Sequence, residues 1–135
     1  QLVEPLAKQL KLKKTKMEEL LKVYTSTANS GVPEAATAAT YHIAALYKDF
    51  GKSLMDSQRP KKLSKVELEQ YNVMLEEQAY PFEEKAIEVH EINAGRAAQG
   101  FYDEWVKKSY AALRELRPVR YGKTERSEGV IDAIR

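Results

Sequence analysis

The chain has 135 residues, 22 of them basic and 20 acidic, for a net charge of +2; hydrophobic residues make up 43% and charged residues 31%. That size suits one domain able to bury a core without staples, and the composition excludes a disordered chain. The balanced charge argues against nucleic acid as a partner, and no apolar run approaches the ~18 residues needed to span a membrane.

The absence of cysteine removes disulfides, thiolate chemistry and cysteine-ligated zinc together. Six glycines and five prolines are few for a β-rich protein, whereas alanine, leucine, glutamate and lysine favour helix. The chain opens at Gln1 with no initiator methionine and no signal peptide, which reads as a piece of a longer or processed protein.

The first predicted helix runs from about Pro5 to Ala28. Pro5 suits a first turn, and Leu6, Leu10, Met17, Leu20, Leu21, Tyr24 and Ala28 recur at three- and four-residue spacing. Asn29, Ser30 and Gly31 form the stop, with Gly31 as a left-handed cap. A second helix begins at Pro33 and is expected to continue to about Ser57. Its first half is alanine-rich, its stripe is Ala39, Ile43, Leu46, Tyr47, Phe50 and Leu54, and Gly51 is a weak point.

A basic loop over residues 58–63 follows. Ser64 and Glu67 then make the S-x-x-E pattern of a capping box. Leu68, Tyr71, Leu75, Ala79, Phe82, Ala86, Val89 and Asn93 keep helical phase from there. Pro81 interrupts the run, but the phase is unbroken across it and no turn residue flanks it, so a single kinked helix is expected. Gly100 is the expected break. A fourth helix is predicted over about residues 102–116, with Phe101, Trp105, Ala112 and Leu116 on one side. Asp103 with Lys107, and Glu104 with Lys108, are acid-first pairs at i,i+4. Trp105 is expected to pack on the Phe82, Ala86, Val89 and Asn93 side of the third helix. Residues 1–118 thus read as a helical domain and 119–135 as a polar C-terminal tail, partly mobile or docked, with a short cluster at Val130, Ile131, Ala133 and Ile134.

Signals for catalysis are poor. The two histidines are His42 and His90. His90 stands among glutamates, yet Ala86 and Ile87 occupy the positions where a helical Glu-x-x-His site needs its carboxylate. The ordinary reading is a solvated or partly packed His90 and a His42 near the core stripe. No glycine-rich phosphate loop, nucleophile elbow or evident nucleophile–base pair occurs. No catalytic residue, metal or cofactor is therefore expected. The basic clusters Arg59, Lys61, Lys62, Lys65 and Arg117, Arg120, Lys123, Arg126 read as solvated helix ends.

Tyrosine is more suggestive, with eight against three phenylalanines and one tryptophan. Tyrosine pairs a rigid apolar ring with a polar tip and is common at interfaces. Tyr41, Tyr47, Tyr71, Tyr102 and Tyr110 are the candidate partner-binding residues, against the alternative that most tyrosines fill seams between helices.

Two strings, LEEQAYPFEEKAIEVHE over residues 75–91 and GFYDEWVKKSYAAL over 100–113, resemble the C-terminal region of large bacterial tetratricopeptide-repeat proteins. Such proteins are described as parts of TonB-type transport systems or gliding-motility machinery. The resemblance covers residues 71–123 and implies antiparallel helical hairpins, a tetratricopeptide-like superhelix end, and a periplasmic or cell-envelope location, with a cytoplasmic one as the alternative. The sequence departs from the 34-residue repeat: counting back from Pro118, Leu113 and Val106 stand where alanine is expected, and Tyr110 alone fits. About four long helices forming a degenerate end or cap are therefore expected. The function expected is a non-enzymatic scaffold for a protein or peptide partner, such as an envelope-complex component, with weak self-association. The alternatives are a purely structural solenoid cap and a metal-binding helical bundle enzyme.

Overall fold

The computed structural model describes residues 6–117. Helix α1 spans Leu6–Ala28, α2 Pro33–Met55 and α3 Lys65–Ala98; α4 covers residues 104–117. No strand occurs among the described residues, so the fold is all-α, as the periodicity predicts. Pro5, Pro118 and the expected tail over 119–135 lie outside the described residues.

Local chemistry explains most boundaries. Gly31 and Gly100 both take positive φ, +83° and +92°, where a side chain would be strained. At the end of α3 the Phe101 N–H donates to the Arg96 carbonyl at 2.9 Å and the Gly100 N–H to Ala97 at 3.0 Å. This is a Schellman turn, and it reverses the chain into α4. Pro33 opens α2, with Glu34 in its first turn. The helix stops at Met55, short of the expected Ser57, because Ser57 turns its hydroxyl back onto the Leu54 carbonyl at 2.6 Å. Arg59 then donates to the carbonyls of Met55 and Ser57 and to Asn72 Oδ1 at 2.7 Å, which clamps the loop onto α3.

The capping box forms as the S-x-x-E pattern predicts. The Glu67 N–H donates to Ser64 Oγ and the Ser64 N–H to Glu67 Oε1, each at 3.1 Å. The Ser64 backbone N–H holds the Glu67 carboxyl below its ordinary pKa, and the Ser64 hydroxyl adds to the effect. Helix α3 then runs 34 residues without interruption through Pro81. A helix-interior proline costs about 3 kcal/mol. Burial on both sides of it offsets that cost, with Leu75 and Ala79 before Pro81 and Ala86, Ile87 and Val89 after it.

Helix α2 lies between α1 and α3 and buries two faces. One carries Phe50 and Leu54, which cluster with Leu10 and Met17 of α1 and Ala79 of α3. The other carries Thr37, Thr40, Ala44 and Gly51. Gly51 sits where α3 comes closest: a Cβ there would lie 3.5 Å from the Ala79 carbonyl oxygen and from Phe82 Cβ. Both neighbours of α2 run antiparallel to it. Tyr24 stacks on His42 at one end of the α1 seam, and Lys13 reaches Ser53 at the other.

Three expected faces need correction. Leu20 is exposed because 100° of rotation per residue carries it off the line through Leu10, Met17 and Leu21, and Leu68, though in phase with buried Leu75, is exposed because it lies in the first turns of α3, where residues 64–70 are all exposed. The buried face of α4 is Val106, Ser109 and Leu113, not Phe101, Trp105, Ala112 and Leu116, which are half-buried at its margins. His90 is neither solvated nor partly packed; it is buried, with 2% of its surface exposed.

Candidate functional site

Helix α4 lies in the furrow between α2 and α3 and is held there by a chain of buried polar groups. Asp103 is its N-cap. One carboxylate oxygen accepts from the Val106 N–H at 2.9 Å, and the other accepts from the Thr37 hydroxyl of α2 at 2.5 Å. Asp103 therefore serves as cap and cross-link. The expected pairing of Glu104 with Lys108 forms at 3.5 Å.

One turn on, Ser109 meets α3. Asn93 Nδ2 donates to Ser109 Oγ at 2.9 Å and to the Thr37 carbonyl at 3.0 Å, while Arg96 donates to Asn93 Oδ1 at 2.6 Å and to Thr40 Oγ1 at 2.9 Å. His90 Nδ1 lies 3.0 Å from Ser109 Oγ. Burial pushes the His90 pKa down to about 4, and the Lys48 ammonium adds to the shift. At neutral pH the imidazole is uncharged. With Ser109 donating to Nδ1 and accepting from Asn93, the Ser109 hydroxyl and the Asn93 amide are both satisfied. Sequence reasoning missed this network, because serine and histidine on a helix face read as polar surface.

Above the network is a layer of rings. Tyr41 touches His42, His90 and Trp105 at centroid distances of 5.4–5.6 Å, and His42 lies 5.1 Å from Trp105. Trp105 thus packs on α2, not on the expected Phe82–Asn93 side of α3. Ser109 faces α3 in its place. Lys108 Nζ sits 4.4 Å above the indole, a cation–π contact at its outer edge. The Ser109–His90 pair has the atoms of a nucleophile and a base, but both side chains are buried, which fits a structural tie. Among the described residues no group of three or more His, Asp or Glu is arranged to hold a metal ion, and no helix is long and apolar enough to cross a membrane.

The candidate tyrosines fall into two sets. Tyr41 is half-buried in the ring layer, Tyr47 is half-buried against the Leu10–Met17–Phe50 cluster, and Tyr71 is half-buried with its hydroxyl enclosed and, among the described residues, without a hydrogen-bond partner. Tyr102 and Tyr110 are exposed, at 59% and 38%. Their rings lie 6.2 Å apart beside Lys107 and Arg114, and the Tyr110 hydroxyl donates to the Ala94 carbonyl at 3.3 Å.

Beyond the end of α4 the furrow between α2 and α3 continues as an apolar cavity of about 220 Å3. Met55, Ile87 and Leu116 line it, with Lys48 and Lys52 on the α2 side and Glu83 and Glu84 on the α3 side. No protein-family model, no curated protein and no solved structure matches the chain.

Proposed function

We propose that the chain is a non-enzymatic scaffold that docks a protein or peptide partner, as the terminal part of a tetratricopeptide-type array in a cell-envelope assembly serving TonB-type transport or motility. The Tyr102–Tyr110 pair carries the partner-binding part of this reading. The Schellman turn at Gly100 and the Asp103 cap fix the backbone next to the pair, so the two rings are presented with little entropy left to lose. Aromatic rings beside Lys107 and Arg114 have the composition of an interface hot spot and suit a partner offering apolar and acidic groups. The envelope setting rests on the resemblance carried by residues 71–123.

The test is photo-crosslinking in the native cell, with the photoreactive residue at position 102 or 110 and a control at exposed Glu77. A discrete protein adduct at 102 and 110, absent at 77, is the expected result. Equal labelling at all three positions, or none at any, would overturn the reading.

A second reading, a cap that seals a helical array, is favoured by a different observation. Leu12, Leu20 and Val23 are all exposed on α1 and lie within about 80° of one another around its axis. Upstream repeats would cover that face. Helices of 23, 23 and 34 residues exceed those of a regular 34-residue repeat, which suits an atypical terminal unit.

A further inference from the structure

The charge of the chain is balanced overall but divided between its helices. Helix α1 carries six lysines against two glutamates, and α3 carries eight glutamates against two lysines and one arginine. Helix α2, between them, is neutral: Glu34 and Asp49 offset Lys48 and Lys52. One flank of the molecule is therefore basic and the other acidic. Among the described residues no lysine of α1 is ion-paired, and neither are Glu69, Glu76 and Glu77 of α3.

These charges stand beside exposed apolar side chains. On α1, Lys8, Leu12, Lys16 and Val23 are exposed and fall within about 80° of one another, on the side turned away from buried Leu10 and Met17. Glu19 is the one acid on that face. On α3, Val66, Val73 and Glu77 are exposed and fall within about 40° of one another, opposite buried Leu75; Glu69 and Glu76, also exposed, flank them. Both helices run antiparallel to α2 and so parallel to each other. Leu10 and Lys14 lie level with Gln78 and Phe82 around one groove. The lysine-rich start of α1 thus stands at the height of Glu76 and Glu77. A second copy displaced sideways, without being turned over, brings the lysines of one copy beside the glutamates of the other.

We propose that the partner of these two faces is a second copy of this chain: the lysine-rich face of α1 in one copy docks head to tail on the glutamate-rich face of α3 in the next. Leu12 and Val23 on one side, and Val66 and Val73 on the other, are each more than half exposed and supply the apolar contact. The opposed charges set orientation and speed encounter. Such a contact uses a different surface on each copy. An upstream helical array would cover α1 alone and leave the acidic face of α3 without a complement; a polyanion would do the same. A second copy answers both faces at once. The proposal rests on α1 and α3 and not on the Tyr102–Tyr110 pair.

The test is sedimentation velocity on the full chain over a range of concentrations. Reversible association is expected, weakened roughly tenfold or more between about 0.05 and 0.5 M salt. One variant combines Lys8→Glu, Lys16→Glu and Lys22→Glu; the other combines Glu69→Lys, Glu76→Lys and Glu77→Lys. All six positions are exposed, and lysine and glutamate have similar helix propensity. Each variant alone should be monomeric, because its two faces then carry the same sign. An equimolar mixture of the two should associate again, because each offers the other the missing complement; an unfolded variant could not be rescued in this way. A wild-type chain that stays monomeric at low salt, or variants that remain apart when mixed, would overturn the proposal. Association that persists in either variant alone would also overturn it, and would assign self-association to another surface.

Discussion

Along its α1 flank, α2 offers Phe50 and Leu54 to Leu10 and Met17; along its α3–α4 flank it offers Thr37 and Thr40 to Asn93, Arg96 and Asp103. The first seam is apolar and non-directional, so its stability follows buried area and it tolerates swaps that conserve volume. The second depends on each donor meeting its acceptor. Shifting α4 by one residue would part Ser109 from His90 and Asn93, and each buried group left unpaired costs about 1–3 kcal/mol. The α1 seam therefore supplies adhesion, and the α3–α4 seam sets register.

Truncation in the apolar seam should have the largest effect. Phe50 is buried and meets Phe82 edge-on at 4.7 Å. Phe50→Ala is expected to cost about 3–5 kcal/mol in urea denaturation, and Phe50→Leu far less. A loss below about 1 kcal/mol for the alanine variant would show that this seam contributes little to stability.

The polar seam should be the one that responds to acid. His90 has a folded pKa of about 4 against an ordinary 6.5, so the unfolded chain takes up the proton more readily. Its contribution is complete above pH 6.5 and is lost as the pH falls toward 4, in total about 3 kcal/mol. The expected observation is a fall in melting temperature across that window, accompanied by a change in Trp105 fluorescence, because α4 carries both Ser109 and Trp105. His90→Gln should flatten the profile. A wild-type profile that stays level between pH 6.5 and 4 would contradict the buried neutral imidazole.

The smallest effect tests the closest approach of α2 and α3. Gly51→Ala adds a Cβ at ordinary contact distances from Ala79 and Phe82 and removes the helical penalty of glycine. It is expected to stabilise by up to about 1 kcal/mol. Destabilisation would mean that the helices pack more tightly at Gly51 than these distances allow.

The helix boundaries were legible because their causes are local. Pro33, the Ser64–Glu67 box and Gly100 act within a few residues, and a single sequence displays them. The continuity of α3 was legible from the phase kept across Pro81. The face of α4 was not. A tryptophan dominates any hydrophobic stripe drawn through residues 101–116, while Ser109, fully buried, reads as surface until Asn93 and His90 are seen beside it. The same cause hid the role of His90. A buried polar residue is recognised by its partner, and here that partner lies 16 to 19 residues away in sequence. Of the candidate tyrosines, sequence could not separate Tyr102 and Tyr110 on the surface from Tyr41, Tyr47 and Tyr71 in the seams, because all five occupy similar amphipathic surroundings.

Helix α3 has 34 residues against 23 in α2, a difference of about 16 Å at ~1.5 Å per residue. Pairing of Thr37 with Asn93 and of Gly51 with Ala79 places the excess at the start of α3, where residues 64–70 are all exposed. Amide protons along this one helix should accordingly exchange in a gradient. They should be fast near Val66, slower past the Arg59–Asn72 clamp, and slowest around Ala86 and His90, where opening requires unfolding of the whole bundle. The capping box then acts as a brake on fraying, and Ser64→Ala should speed exchange in the first turns while leaving the protected half of the helix unchanged.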